Sequence, residues 1–124
     1  MPQYMLLIFA DPEQGPAQGT PEAEAHMQEW FTYTEGLRAS GAFVSGEALQ
    51  PPTTATTVAV RNGDRVVSDG PFADTKEWLG GFYVIDAPDL DAALDHAAGM
   101  PHIAHGWVEV RPVMEMPAQV DAAS

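Results

Sequence analysis

Between Gln3 and Ala10 apolar side chains fill both alternating sets, Tyr4, Leu6 and Ile8 on one and Met5, Leu7 and Phe9 on the other. That pattern predicts a strand buried on both faces. Asp11 to Gly19 breaks it with two Pro and two Gly among polar residues, the composition of a loop, and no ligand motif stands out there. From Thr20 the spacing changes to threes and fours. Ala23, Met27, Trp30, Phe31, Thr34 and Leu37 mark one side of a helix predicted to reach about Ser40, and that stripe is expected to face the core. Thr20 is placed to cap its first amides, Pro21 suits the first helical position, Glu22 and Glu24 favour the positive end, and Gly41 suits the left-handed cap.

A second strand is expected over Ala42 to Leu49, stopped by Pro51-Pro52. Asn62-Gly63 then joins Ala55–Arg61 to Arg65–Ser68 as a hairpin, because both central turn positions need positive φ. Gly80 to Asp86 reads as a further strand. Asp89 can cap a helix with Leu90, Ala93, Leu94, Ala97 and Ala98 on one face, closed by Gly99 and Pro101. Trp107 to Met114 is the last strand, and Glu115 to Ser124 reads as a flexible tail after a domain spanning 1–114.

The order is a ferredoxin-like βαββαβ plan of the α+β class with an inserted β-hairpin, giving an antiparallel sheet with two helices on one face. Two helices leave the other face bare although the first strand is apolar on both sides. A homodimer packing sheet against sheet, as in a dimeric α+β barrel, is therefore the expected cover.

Bulk properties narrow the function classes. A chain of 124 residues fits one core, able to bury roughly two thirds of its unfolded surface. Eighteen acids against five basic residues give a net charge of −13, a field that repels phosphate backbones and anionic lipid. Arg38, Arg61, Arg65, Lys76 and Arg111 are scattered rather than striped, so no nucleic-acid partner is expected. The longest strongly apolar run, Met5 to Ala10, is far too short for a membrane span and has no basic region before it, and cytoplasmic residence is the default expectation. Without cysteine there is no disulfide, thiol nucleophile or thiolate metal site.

The segment Asp69-Gly70-Pro71-Phe72-Ala73-Asp74-Thr75-Lys76-Glu77-Trp78-Leu79-Gly80-Gly81-Phe82-Tyr83 resembles the DGPF signature of YCII-related proteins. Asp86-Ala87-Pro88-Asp89-Leu90-Asp91 and Val108-Glu109-Val110-Arg111-Pro112 reinforce the likeness, which extends from about Met1 to Met114. The resemblance implies a dimeric α+β barrel, often of unassigned activity, with some relatives described as small-molecule enzymes and others as domains accompanying sigma factors. Relatives of the YCII type are thought to use a His on the first helix with an Asp of an Asp-Pro pair after the second. Met100-Pro101 stands at that pair here, and His26 falls about one turn too early while Trp30 lies nearer the expected place, so the dyad is not carried over. An isolated His26 in an acidic helix start is expected to be solvated.

Independently of the family, the same segment concentrates carboxylates, an ammonium and aromatic side chains between strands, where function gathers. Asp69 and Glu77, with Asp74, are candidate general acids or bases and Lys76 a candidate anion holder. The competing reading is that Lys76 pairs with Asp69, Asp74 or Glu77 to pin the loop, and that Asp69 accepts amide hydrogen bonds to set the turn at Gly70-Pro71. Gly70-Pro71 and Gly80-Gly81 have neither the spacing nor the Lys-Ser or Lys-Thr ending of a phosphate loop.

Phe72, Tyr83, Trp107, Glu109 and Arg111 are candidate ligand-lining residues. Glu109 and Arg111 alternate with Val108 and Val110, so they share a face with Trp107, either as an ion pair or as polar anchors in a cavity. His96, His102 and His105 with Glu109 match no standard ligand spacing, and neither metal nor cofactor is expected. The leading expectation is a small-molecule binding or transforming protein with its cavity between sheet and helices near Asp69 to Gly81. The alternative is a non-catalytic accessory or regulatory dimer associated with a partner such as a sigma factor.

Overall fold

A computed structural model describes residues 1–71 and 76–116. The elements are β1 (Gln3–Ala10), α1 (Pro21–Ala39), β2 (Phe43–Ala48), β3 (Thr56–Arg61), β4 (Asp64–Asp69), β5 (Trp78–Asp86), α2 (Leu90–Ala98) and β6 (Gly106–Pro112). Each helix begins at the cap expected from sequence. Thr20 Oγ1 accepts from the Ala23 amide at 3.2 Å and an Asp89 carboxylate oxygen accepts from the Ala92 amide at 2.9 Å.

Four strands form one antiparallel sheet in the order β2-β5-β1-β6, the ferredoxin-like arrangement once the hairpin is set aside. The hairpin β3-β4 is a separate two-stranded sheet, and its turn uses Asn62 at φ 53° and Gly63 at φ 82°, as a two-residue turn requires. β5 begins two residues earlier than the Gly80 start expected from sequence, because Trp78 and Leu79 continue the ladder beside Ala10 and Phe9.

Both helices lie on one face. Tyr4, Leu6 and Ile85 from the sheet bury against Leu37 of α1 and Ala93 and Ala97 of α2, with Ala42, Ala87 and Met100 closing the edges. On the opposite face Met5, Leu7, Phe9, Phe82 and Val84 are half-buried, a ladder of apolar side chains with no helix over it among the described residues. The double-sided pattern of β1 thus has one face answered within the chain.

The inward side of α1 is rotated from the expected stripe. Met27 and Phe31 are 54% and 57% exposed, while His26, Trp30, Tyr33 and Thr34 sit half-buried beneath the helix and Leu37 is fully covered. Steps of three and four through Trp30 and Leu37 run equally well through His26 and Tyr33. Each of those two has a polar tip that finds a partner under the helix, which a hydrophobicity pattern does not count.

Among the described residues no helix is long and apolar enough to cross a membrane.

Candidate functional site

The β1-β5-β6 register decides what meets at one end of the sheet. Ala10, the last residue of β1, lies opposite Trp78 on one side and Gly106 on the other. The residues just after β1, just before β5 and just before β6 are therefore neighbours. Among the described residues Lys76 meets the Asp11 carboxylate there, with Nζ to Oδ2 at 3.4 Å, a partner from outside the segment that the sequence reading considered. Asp11 is buried, and its Oδ1 also accepts from the Glu13 amide at 2.9 Å. Nothing in the sequence marked Asp11, because its loop carries no motif and its partner lies 65 residues away by number alone.

Of the remaining candidates in this segment, Asp69 ends β4 with its side chain exposed. The Gly70 amide donates to the Ala55 carbonyl at 2.7 Å, and Thr57 Oγ1 donates to the Gly70 carbonyl at 2.7 Å, with Gly70 at φ 92°. Glu77 is half-buried beside Trp78. Phe72 and Asp74 lie outside the described residues.

The sheet separates the expected ligand-lining residues into two groups. Tyr83 points to the helices, packed on the core. Val108 and Val110 do the same, so Trp107, Glu109 and Arg111 emerge on the open face. There Trp107 stacks on Phe9, rings 5.6 Å apart and 15° from parallel, and Glu109 pairs with Arg111 at 3.9 Å with both side chains well exposed. An exposed pair of this kind contributes little stability, about 0–1 kcal/mol.

Beneath the first half of α1 the packing is aromatic and polar. The Trp30 ring stacks on His102 at 5.5 Å and on Tyr83 at 6.4 Å, and meets Tyr33 edge-on at 6.0 Å. Its indole N–H donates to His26 Nε2 at 3.2 Å, so His26 is engaged under the helix rather than simply solvated. Thr34 Oγ1 and the Tyr83 hydroxyl are 2.6 Å apart, Thr34 Oγ1 also donates to the Trp30 carbonyl at 2.9 Å, and the Tyr33 hydroxyl donates to the His96 carbonyl at 2.6 Å.

His102 lies in the loop between α2 and β6 and is only 4% exposed. Its Nε2 is 3.0 Å from the Trp107 carbonyl, while its Nδ1 is buried with no hydrogen-bond partner among the described residues. Burial holds its pKa below the ordinary imidazole value, opposed by the bond to Trp107 and reinforced by His26 and His105. Burial also pushes the Tyr33 hydroxyl far up, with Tyr83 adding to the effect, so Tyr33 stays a neutral donor. A neutral buried imidazole with one free nitrogen can accept a hydrogen bond or take a proton. In the sequence His102 looked no different from His96 or His105; the return of its loop under Trp30 sets it apart.

Among the described residues no three His, Asp or Glu side chains come together in a way that could hold a metal ion. A surface hollow of about 430 Å³ lies along α1, lined by Pro21, Glu24, Ala25, Met27 and Gln28. One helix supplies all of its lining and Glu24 is its only ionisable side chain, so it offers little chemistry.

The sequence model of the YCII-related domain matches residues 3–117. A relative described as an uncharacterized protein of Rhizobium meliloti (strain 1021) is 36% identical over 112 residues, covering 89% of this chain and 90% of the relative.

Proposed function

Since the chain belongs to the YCII-related domain family, we propose that it binds or transforms a small molecule at the end of the sheet where the Asp69 to Gly81 segment leads into β5, and that it does so as a homodimer. One observation carries the reading. Along β5 from Ile85 to Tyr83, and along α1 from Leu37 to Trp30, the core changes from closed aliphatic packing to a seam of hydroxyl, imidazole and indole groups. Stability alone favours aliphatic packing at such positions, whereas small-molecule sites combine apolar walls with a few placed polar groups.

The dimer is supported by the open sheet face, where Met5, Leu7, Phe9, Phe82 and Val84 form an apolar ladder beside the Phe9 and Trp107 stack. A second copy placing the same face against it covers both. Asp69, Lys76 and Glu77, from the segment that leads into β5, are the polar groups from which catalytic members would be drawn, and Trp107, Glu109 and Arg111 lie on the open side of the sheet, where the second copy would pack.

A thermal-shift screen against a broad metabolite panel tests the ligand, since binding to the folded state raises apparent stability by mass action. At least one compound is expected to raise the melting temperature, and Trp30→Ala to abolish its effect. Light scattering is expected to show a dimer at micromolar concentration. A dimer that no compound stabilises would instead favour the accessory role, with a protein such as a sigma factor as the partner to test.

A further inference from the structure

Among the described residues the β3-β4 hairpin pairs only with itself. Its register sets Val58 opposite Val67 and Val60 opposite Arg65, so these four side chains share one face. Val58, Val60 and Val67 are 61%, 62% and 59% exposed there, whereas Thr57 and Ala59 on the other face are half-buried. A two-stranded hairpin is at best marginally stable in water, and a row of bare valines adds to its stability only when something covers it. Three valines side by side also differ from the single exposed apolar residues that any surface carries.

Charge identifies the cover. Residues 55–69 hold two Arg and two Asp, so the whole net charge of −13 belongs to the rest of the chain. Two such bodies repel each other, and a neutral arm with arginines near its tip is the part of one that can approach the other at least cost. Arg65 stands on the valine face and forms no ion pair among the described residues. The open face of the four-stranded sheet offers the complement. Glu47 of β2 lies opposite Phe82, so it rises on that face at the rim of the apolar ladder, exposed and without an ion pair among the described residues. An apolar strip with one free guanidinium and an apolar strip with one free carboxylate thus occur on the same chain.

We propose that the hairpin is an arm that each copy lays over the rim of the other's open sheet face, its valines against the apolar ladder and its Arg65 against Glu47 of the partner subunit. This rests on the homodimer reading above and names a part of the chain that joins the two copies beyond the sheets themselves. A two-fold dimer makes the contact twice and leaves neither arm bare. Because β4 ends at Asp69, the arm also ties the segment leading into β5 to the second copy, so dimer formation and the placement of that segment are linked.

Sedimentation of the full-length protein from nanomolar to micromolar concentration tests the arm. Val58→Thr/Val60→Thr/Val67→Thr keeps the branched shape suited to strands while removing the apolar surface, and is expected to weaken the dimer about tenfold or more. Arg65→Glu and Glu47→Arg should each weaken it too, and the two together should restore it, which a general effect on folding would not do. The chain has no cysteine, so Asp64→Cys places a single spin label at the hairpin tip. Mixed with ¹⁵N-labelled unmodified protein, the labelled copy should broaden the Glu47 amide signal of the other. A dimer as tight in the triple variant as in the parent overturns the proposal, as do charge reversals that fail to compensate or a Glu47 signal that stays sharp in mixed dimers. Each of those results leaves the homodimer reading standing, whereas an unmodified protein that is monomeric at micromolar concentration brings down both.

Discussion

The direction of the Thr34 and Tyr83 hydrogen bond leads to an asymmetric prediction. Thr34 spends its one hydroxyl hydrogen on the Trp30 carbonyl, so in the contact between the two hydroxyls Tyr83 donates and Thr34 accepts. Tyr83→Phe removes the first donor and leaves the second bond in place; the Trp30 carbonyl stays satisfied, and Thr34 loses only an incoming bond. The expected cost is about 0.5–1 kcal/mol, the net value of one neutral hydrogen bond. Thr34→Val keeps the branched shape but strands the Tyr83 hydroxyl under α1 with no acceptor. That change should cost about 1–2 kcal/mol, the lower part of the range for an unsatisfied buried group, because both residues are only half-buried.

In the double variant the stranded hydroxyl is gone. Its cost should fall short of the sum of the single costs by about 0.5–1 kcal/mol. Urea melts at neutral pH, with slopes compared to confirm that the denatured state is unchanged, measure all four corners of the cycle. Should Tyr83→Phe cost as much as Thr34→Val, or should the two add within error, the assigned donor is wrong.

Three further outcomes follow from individual contacts. The His102 pKa is held below its unfolded value, so the unfolded chain binds the proton that the folded chain refuses; stability should fall as pH drops through the imidazole range and level off below the folded-state pKa, with a shallower fall in His102→Phe. Lys76→Met leaves the buried Asp11 carboxylate without its ammonium and should cost about 1 kcal/mol in denaturant melts at low salt; no change at any ionic strength would remove the pair from the account of this site. Gly46 has room for no side chain, since a Cβ would lie 2.6 Å from Tyr83 Cδ1 and 2.9 Å from the Phe82 carbonyl, so Gly46→Ala should destabilise by about 1–3 kcal/mol and disturb the near-ultraviolet signal of the aromatic seam; an unperturbed signal would contradict the packing of Tyr83.

Local signals carried most of the fold. Thr20-Pro21, Asp89, Asn62-Gly63 and the apolar run of β1 each set one backbone feature through residues within a few positions of one another, and each appears where the sequence placed it. The alternation of β6 likewise assigned Trp107, Glu109 and Arg111 to a single face. It did not say which face, because period two fixes relative sides and only packing against α1 and α2 chooses between them.

The site was less legible for the same reason. Asp11 gains its meaning from Lys76 through the β1-β5 register, Tyr33 from a carbonyl of α2, and His102 from a loop that returns beneath Trp30. Those partners are far apart along the chain, and a pattern of hydrophobicity records neither which way a histidine's lone pair points nor whether a donor is left to meet it. Residue order set the elements and the apolar faces they needed to cover; the tertiary structure decided which polar atoms were buried together and, among the described residues, left His102 Nδ1 without a hydrogen-bond partner.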